Sequence, residues 1–225
     1  MIGGMSWEST REYYRILNEE TRRALGGFHS AKCILYSVDF AEIEKLQHED
    51  RWEELSAIMV RAAHTLENAG ADFILICTNT MQKMADDVQR SIGIPLLHLV
   101  DATAEQIRQD DLRKVGLLGT KFTMEQDFYK GRLSDRFGLE VIIPDDEERE
   151  IVHQIIYNEL CLGIVNQTSR EKFIQIINNL IDHGAKGIIL GCTEIPLLIK
   201  QTDIPVRVYD TTEIHAKAAV GFALR

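Results

Sequence analysis

Apolar residues along this chain come in two rhythms, and the rhythms alternate. Short, almost uniformly apolar runs at 31–40 (AKCILYSVDF), 72–77 (DFILIC), 94–100 (IPLLHLV), 114–120 (KVGLLGT), 139–144 (LEVIIP), 186–192 (KGIILGC) and 204–210 (IPVRVYD) read as strands. Amphipathic stretches lie between them. The clearest is 51–70, where Leu55, Ile58, Met59, Ala62 and Leu66 fall near one helical face and Asn68 and Gly70 supply a stop. Further helices are predicted from about 78 to Ser91, from Asp101 onward, over 146–161, 169–183 and 211–224. Strands apolar on both faces, alternating with helices, predict an α/β protein whose parallel sheets are covered by helices on both faces.

The pattern also repeats. GGMSW (3–7) and LLGTKFT (117–123) each read as a glycine turn leaving a strand toward a helix. ICTNT (76–80) and LGCTE (190–194) each put Cys or Thr at a strand end ahead of a helix. Gly4 and Gly119 stand 115 positions apart, and Thr78 and Cys192 stand 114 apart. Near-equal offsets for two separate motifs predict two pseudo-symmetric, flavodoxin-like parallel-sheet domains. The first is expected over 1–102 with the C-terminal segment 206–225, the second over 103–205. Ligands of open parallel sheets gather beyond the carboxyl ends of the strands, so the four motifs predict a site in an interdomain cleft. Only Met1 and Ile2 precede GGMSW, so either the first strand is very short or the numbering starts inside a longer chain.

Composition narrows the classes of function. The 225 residues suffice for a proper core, and 45% hydrophobic with 27% charged residues is ordinary for a globular protein. Apolar runs such as 73–76 and 187–190 are too short to span a bilayer, and no charged-then-apolar leader opens the chain, so a cytoplasmic location is expected. A formal net charge of −10 argues against a nucleic-acid or membrane partner. The four cysteines form no CxxC pair and no Cys/His cluster, so free thiols and no metal site are expected.

Two of the motifs suggest chemistry directly. Gly3-Gly4 is either a tight structural turn or a place where backbone and helix N–H groups approach an anion. It is not a dinucleotide fingerprint, and 117–123 is not a P-loop. Cys192 in GCTE stands at a strand end ahead of a helix, a setting expected to bring a thiol pKa below its free value of about 8.5. Thr193 and Glu194 beside it can donate to a substrate or orient the thiol.

Taken together, GGMSWEST, CTNTM, LGT..TM, GCTEI and DTTEIHA resemble the aspartate/glutamate racemase family over nearly the whole chain. The nearest resemblance is to the L-aspartate/glutamate-specific or broad-specificity amino-acid racemases. The resemblance implies an enzyme without pyridoxal phosphate or any other cofactor, a homodimer, and small acidic amino acids as substrates. It also implies a pair of cysteines that flank the α-carbon, one removing its proton and the other returning a proton to the opposite face. Here the residue before Asn79 is Thr78, where the family has Cys, and Cys77 lies one place earlier. Neighbouring strand side chains point to opposite faces, so Cys77 is expected in the core and Thr78 at the site.

The expected catalytic pair is therefore Thr78 and Cys192, with a preference for L-Asp and L-Glu. Met5, Gln47, Asn79, Thr80, Thr120 and Thr193 are expected to contact substrate, and Trp7 to help Met5 exclude water. Glu194, Asp210 and His215 are candidates for tuning Cys192. Gln82 replaces a His of many relatives, and Cys161 a Lys of some aspartate racemases, which puts strict aspartate specificity in doubt. Two other readings fit a single competent cysteine: a decarboxylase or isomerase of small dicarboxylates, and an amino-acid-binding protein with a degenerate site.

Overall fold

In the computed structural model, which describes residues 1–225, the chain forms two compact units, Met1–Leu99 with His215–Arg225, and Val100–Ile214. In the first unit β1 (Ile2–Gly3) pairs in parallel with β2 (Tyr36–Ser37). Ile2 also bridges Ile76, and Ile74 bridges Leu96, both in parallel. The strand order is thus 36–37, 2–3, 74–76, 96. The helices of this unit are α1 (Trp7–Leu25), α2 (Phe40–His48), α3 (Trp52–Asn68) and α4 (Ala85–Ser91), with a 3-10 turn at Thr80–Met84. Most of the predicted strand at 31–40 is not regular structure. β1 offers only Ile2 and Gly3 to pair with, which limits β2 to Tyr36–Ser37, and Asp39 then caps α2 by accepting from the Ala41 amide.

Alternation along 74–77 shows how the strand serves two cores. Ile74 and Ile76 pack with Leu55, Met59 and Val88 from α3 and α4. Leu75 and Cys77 point the other way, to Tyr13 and Leu17 of α1 and to Ala216 and Val220 of the C-terminal helix. Each large side chain buried in this way contributes roughly 1.5–3 kcal/mol.

The second unit repeats the plan with longer strands. β3 (Lys114–Gly119), β4 (Glu140–Ile142), β5 (Gly187–Gly191) and β6 (Arg207–Asp210) form a parallel sheet in the order β4-β3-β5-β6. α5 (Leu99–Gln109), α6 (Lys121–Glu125), α7 (Asp127–Phe137), α8 (Asp146–Asn158), α9 (Gln167–Asp182), α10 (Ile195–Leu198) and α11 (Thr211–Ala223) complete the helices. β5 is buried at every position, as a central strand covered on both faces must be. β6 corrects one expectation: it pairs with β5, so 206–214 stays with the second unit, and the chain returns to the first only at His215.

The register supplies a second correction. Ile2 lies opposite Ile76, and Leu118 opposite Leu190, so matching Thr78 to Cys192, and with them Ile76 to Leu190, sets Gly3 rather than Gly4 against Gly119. Glycine is required at both turns. A Cβ on Gly119 would lie 2.7 Å from the Gly191 carbonyl oxygen, and one on Gly4, where φ is +93°, would lie 2.3 Å from that of Val38.

Candidate active site

Each unit presents its polar motifs just past the carboxyl ends of its central strands. In the second unit, β5 runs directly into Cys192, Thr193 and Glu194, all buried. The Cys192 thiol donates to Glu194 Oε2 at 3.0 Å, and the Thr193 hydroxyl donates to the same oxygen at 2.8 Å. Burial, and then the Glu194 carboxylate, push the Cys192 pKa well above its ordinary value. This reverses the expectation of a lowered thiol pKa. The helix that follows, α10, has only four residues and supplies little dipole, while a carboxylate stands in hydrogen-bond contact. Cys192 is thus held as a thiol whose proton points at a ready acceptor.

Thr120 follows β3 in the same unit. It is buried and caps α6, its hydroxyl accepting from the Thr123 amide at 3.4 Å. Next to it the Lys121 amide donates to His153 Nδ1 at 3.2 Å, so His153 also helps hold this turn.

In the first unit, Thr78, Asn79 and Thr80 follow the short strand 74–76, and all three are buried. Gln82 fixes them from one turn ahead. Its Nε2 donates to the carbonyls of Ile76 and Thr78 at 3.0 and 3.1 Å, and its Oε1 accepts from the Leu99 amide at 3.4 Å. The sequence marked Gln82 only as a lost positive charge. The signal for a positioning role was its spacing, four residues beyond Thr78, which lets a helical turn bring the amide back to the strand-end carbonyls. Gln47, at the end of α2, is buried with Nε2 3.3 Å from Met81 Sδ. Met5 is buried among the core residues of this unit.

Cys77 is fully buried, and burial pushes its thiol up to about 12. It belongs to the apolar face that α1 and α11 cover, as alternation predicts. Trp7 departs from expectation. It is 61% exposed, with the Arg11 guanidinium 5.7 Å from its ring, so it shields little from water. His215 departs as well, because both its nitrogens are engaged within the first unit. Nε2 donates to the Leu97 carbonyl and Nδ1 accepts from the Tyr13 hydroxyl, each at 2.8 Å. Asp210 accepts from the Thr212 and Glu213 amides at 2.9 and 3.1 Å and serves α11. Of the three candidates for tuning Cys192, only Glu194 touches it.

The Asp/Glu/hydantoin racemase family model matches residues 2–219. The chain belongs to this family. As a member it is a racemase of the Asp/Glu type. A Yersinia pestis protein provisionally called an Asp/Glu racemase is 55% identical, with a TM-score of 0.93 over 100% of this chain and 97% of its own. An aspartate racemase homologue from Pyrococcus horikoshii OT3 is 40% identical, with a TM-score of 0.86 over 100% of this chain and 97% of its own. The broad specificity amino-acid racemase RacX of Bacillus subtilis (strain 168) is 25% identical over 75% of this chain and 72% of its own length. No helix of this racemase is long and apolar enough to cross a membrane.

Proposed function

We propose that this racemase acts on small acidic amino acids, L-Asp and L-Glu above all, with Cys192 as the base that removes the α-proton. The observation that carries the proposal is the Cys192–Glu194 contact, a buried thiol donating at 3.0 Å to a carboxylate that Thr193 also holds. Transfer of the thiol proton to Glu194 leaves a thiolate. The thiolate takes the α-proton, and the electron pair of the Cα–H bond passes into the substrate carboxylate as an enediolate. A raised pKa makes the thiolate scarce, and also strongly basic once formed, which suits removal of a weakly acidic proton. The substrate ammonium beside the sulfur favours the charged form.

Without an electron sink, the enediolate charge rests on placed donors. Asn79, Thr80, Thr120 and Thr193 take that role in this proposal, Gln47 holds the distal carboxylate and Met5 lines the substrate. Thr78 takes the place of the second thiol. A hydroxyl does not ionise near neutral pH, so proton transfer on the D-face runs through it as a relay and is the slower half of the reaction in both directions. One competent base makes α-proton exchange from the L-substrate faster than racemisation, while an equilibrium ratio of unity keeps kcat/KM equal for the two enantiomers. Chiral chromatography of the products from L- and D-Asp, L- and D-Glu and a set of neutral amino acids tests the substrate class. The proposal expects D-product from L-Asp and L-Glu first, and equal or better turnover of neutral amino acids would overturn the acidic preference. Loss of CO₂ from a small dicarboxylate, with no racemisation, would favour the single-cysteine decarboxylase reading instead.

A further inference from the structure

A second cysteine of the second unit stands near Cys192 and takes no part in the proposed chemistry. Cys161 lies in the single 3-10 turn Leu160–Leu162 that follows α8, and Gly163, at φ +73°, ends that turn. The turn packs against α10, the short helix that leaves Cys192 and Glu194. Leu160, Cys192, Ile195 and Leu198 share one apolar cluster, and Cys161 packs against the same cluster. The proximity has an electrostatic mark: after burial and the Glu194 carboxylate, Cys161 is the next influence raising the Cys192 pKa. The two thiols differ in access, Cys161 being half-buried and Cys192 buried. A disulfide needs Cα atoms within about 7 Å of each other. Of the turn's three residues only Leu160 is buried, so a single apolar anchor leaves it free to settle toward that spacing. The remaining cysteines belong to the first unit, Cys33 exposed and Cys77 within its apolar core.

We propose that Cys161 and Cys192 are an oxidation site, joined as a disulfide by a peroxide, and that this bond switches the enzyme off until a thiol reductant breaks it. The switch rests on Cys192 being the base of the reaction proposed above. Cys161 reacts first, as the more accessible sulfur. Its thiolate attacks one peroxide oxygen, the O–O bond breaks, and a sulfenic acid and a hydroxide result. Cys192 then passes its proton to Glu194 and attacks the Cys161 sulfur. The S–S bond forms as the S–O bond breaks, and a second hydroxide leaves. The two thiol protons turn the two hydroxides into water. In sum, two thiols lose two electrons and one peroxide gains them, giving a disulfide and two waters. The Glu194 contact at 3.0 Å thereby serves both reactions, since it frees the Cys192 sulfur for a proton in one and for a sulfenic acid in the other. The disulfide removes the base but keeps it recoverable, because it captures the sulfenic acid before the irreversible sulfinic stage.

The test treats the full-length protein carrying Cys33→Ser, which removes the exposed thiol that would link two copies, with hydrogen peroxide. Intact mass, peptide mapping and racemisation are then read before and after dithiothreitol. The expected product is lighter by two hydrogens and carries a crosslink between the peptides that hold Cys161 and Cys192. Its activity is expected to fall at least about 10-fold and to return with dithiothreitol. With Cys161→Ser added, no crosslink and no reversible loss are expected, each rate being compared with that of the same variant before oxidation. A treated protein that only gains oxygen atoms, or a crosslink that involves Cys77, overturns the proposal. So does a Cys161→Ser variant that is inactivated and restored like its parent. The mass and the map need no activity, so the two readings fail separately. A crosslinked protein that racemises nothing when reduced would overturn the reading of the reaction and uphold the disulfide.

Discussion

A thiol that gives its hydrogen to a carboxylate 3.0 Å away resists ionisation for two reasons, burial and the neighbouring negative charge. Both bear on how Cys192 works. Activity that depends on its thiolate rises with pH across and above neutrality, because the folded-state pKa is raised and the charged form accumulates only on the alkaline side. Replacing Glu194 by Gln removes the second cause. The alkaline rise in kcat/KM is expected to move to lower pH in Glu194→Gln, while kcat at its plateau falls about 10- to 100-fold for want of the proton acceptor. A pH–rate profile of the two proteins checks both. A profile that moves to higher pH, or not at all, would remove Glu194 from the account. The direction of this shift could not be read from the sequence. GCTE announces a thiol ahead of a helix, but whether Glu194 folds back onto the sulfur depends on one side-chain conformation.

At the scale of elements, two buried polar side chains hold the strand ends and the chain crossings in place. Gln82 ties the carbonyls of Ile76 and Thr78 to the Leu99 amide, at the point where the first unit gives way to the second. Gln82→Leu keeps the volume and strands these backbone groups without partners. It is expected to lower stability by about 2 kcal/mol in urea unfolding, within the range for buried unsatisfied groups.

His215 does the same at the return crossing. Burial brings its pKa down from 6.5 to about 4, so the folded protein holds it neutral while the unfolded chain takes up a proton. Its contribution is full above pH 6.5 and is lost as pH falls toward 4, about 3 kcal/mol in all. Thermal unfolding between pH 7 and pH 4 is expected to show a shallower acid loss in His215→Gln than in wild type, and an equal slope would contradict this. Sequence spacing gives no hint of these bonds, because Tyr13 and Leu97 are 202 and 118 positions away. Local alternation was legible, by contrast. The run DFILIC alone predicts that Cys77 turns from the face Thr78 shares with Ile76, and the two apolar clusters divide accordingly.

The whole molecule is a doubled plan, parallel and in the same strand order in each unit. The repeat was visible in the sequence because glycine turns and strand ends recur at near-equal offsets. With Thr78 set against Cys192, the strand pairing puts Gly3 rather than Gly4 against Gly119, one residue from the offset read in the sequence. The doubling makes a specific substitution informative. Thr78→Cys places a thiol at the position equivalent to Cys192, and it is expected to raise kcat/KM for D-Asp and D-Glu at least about 10-fold, and for the L-forms equally, since the equilibrium ratio stays at unity. Chiral assay in both directions would show it, and no gain from the D-side would mean that the Thr78 position does not take part in proton transfer.

The most direct test of the central claim is α-proton exchange in D₂O, followed by NMR on L-Asp and L-Glu with wild type and Cys192→Ala side by side. The account predicts that wild type washes out the α-proton signal with product of D configuration accumulating, and that Cys192→Ala slows the washout by at least about 1,000-fold. Washout that continues unchanged in Cys192→Ala would contradict it, and so would the absence of any exchange by wild type at saturating substrate.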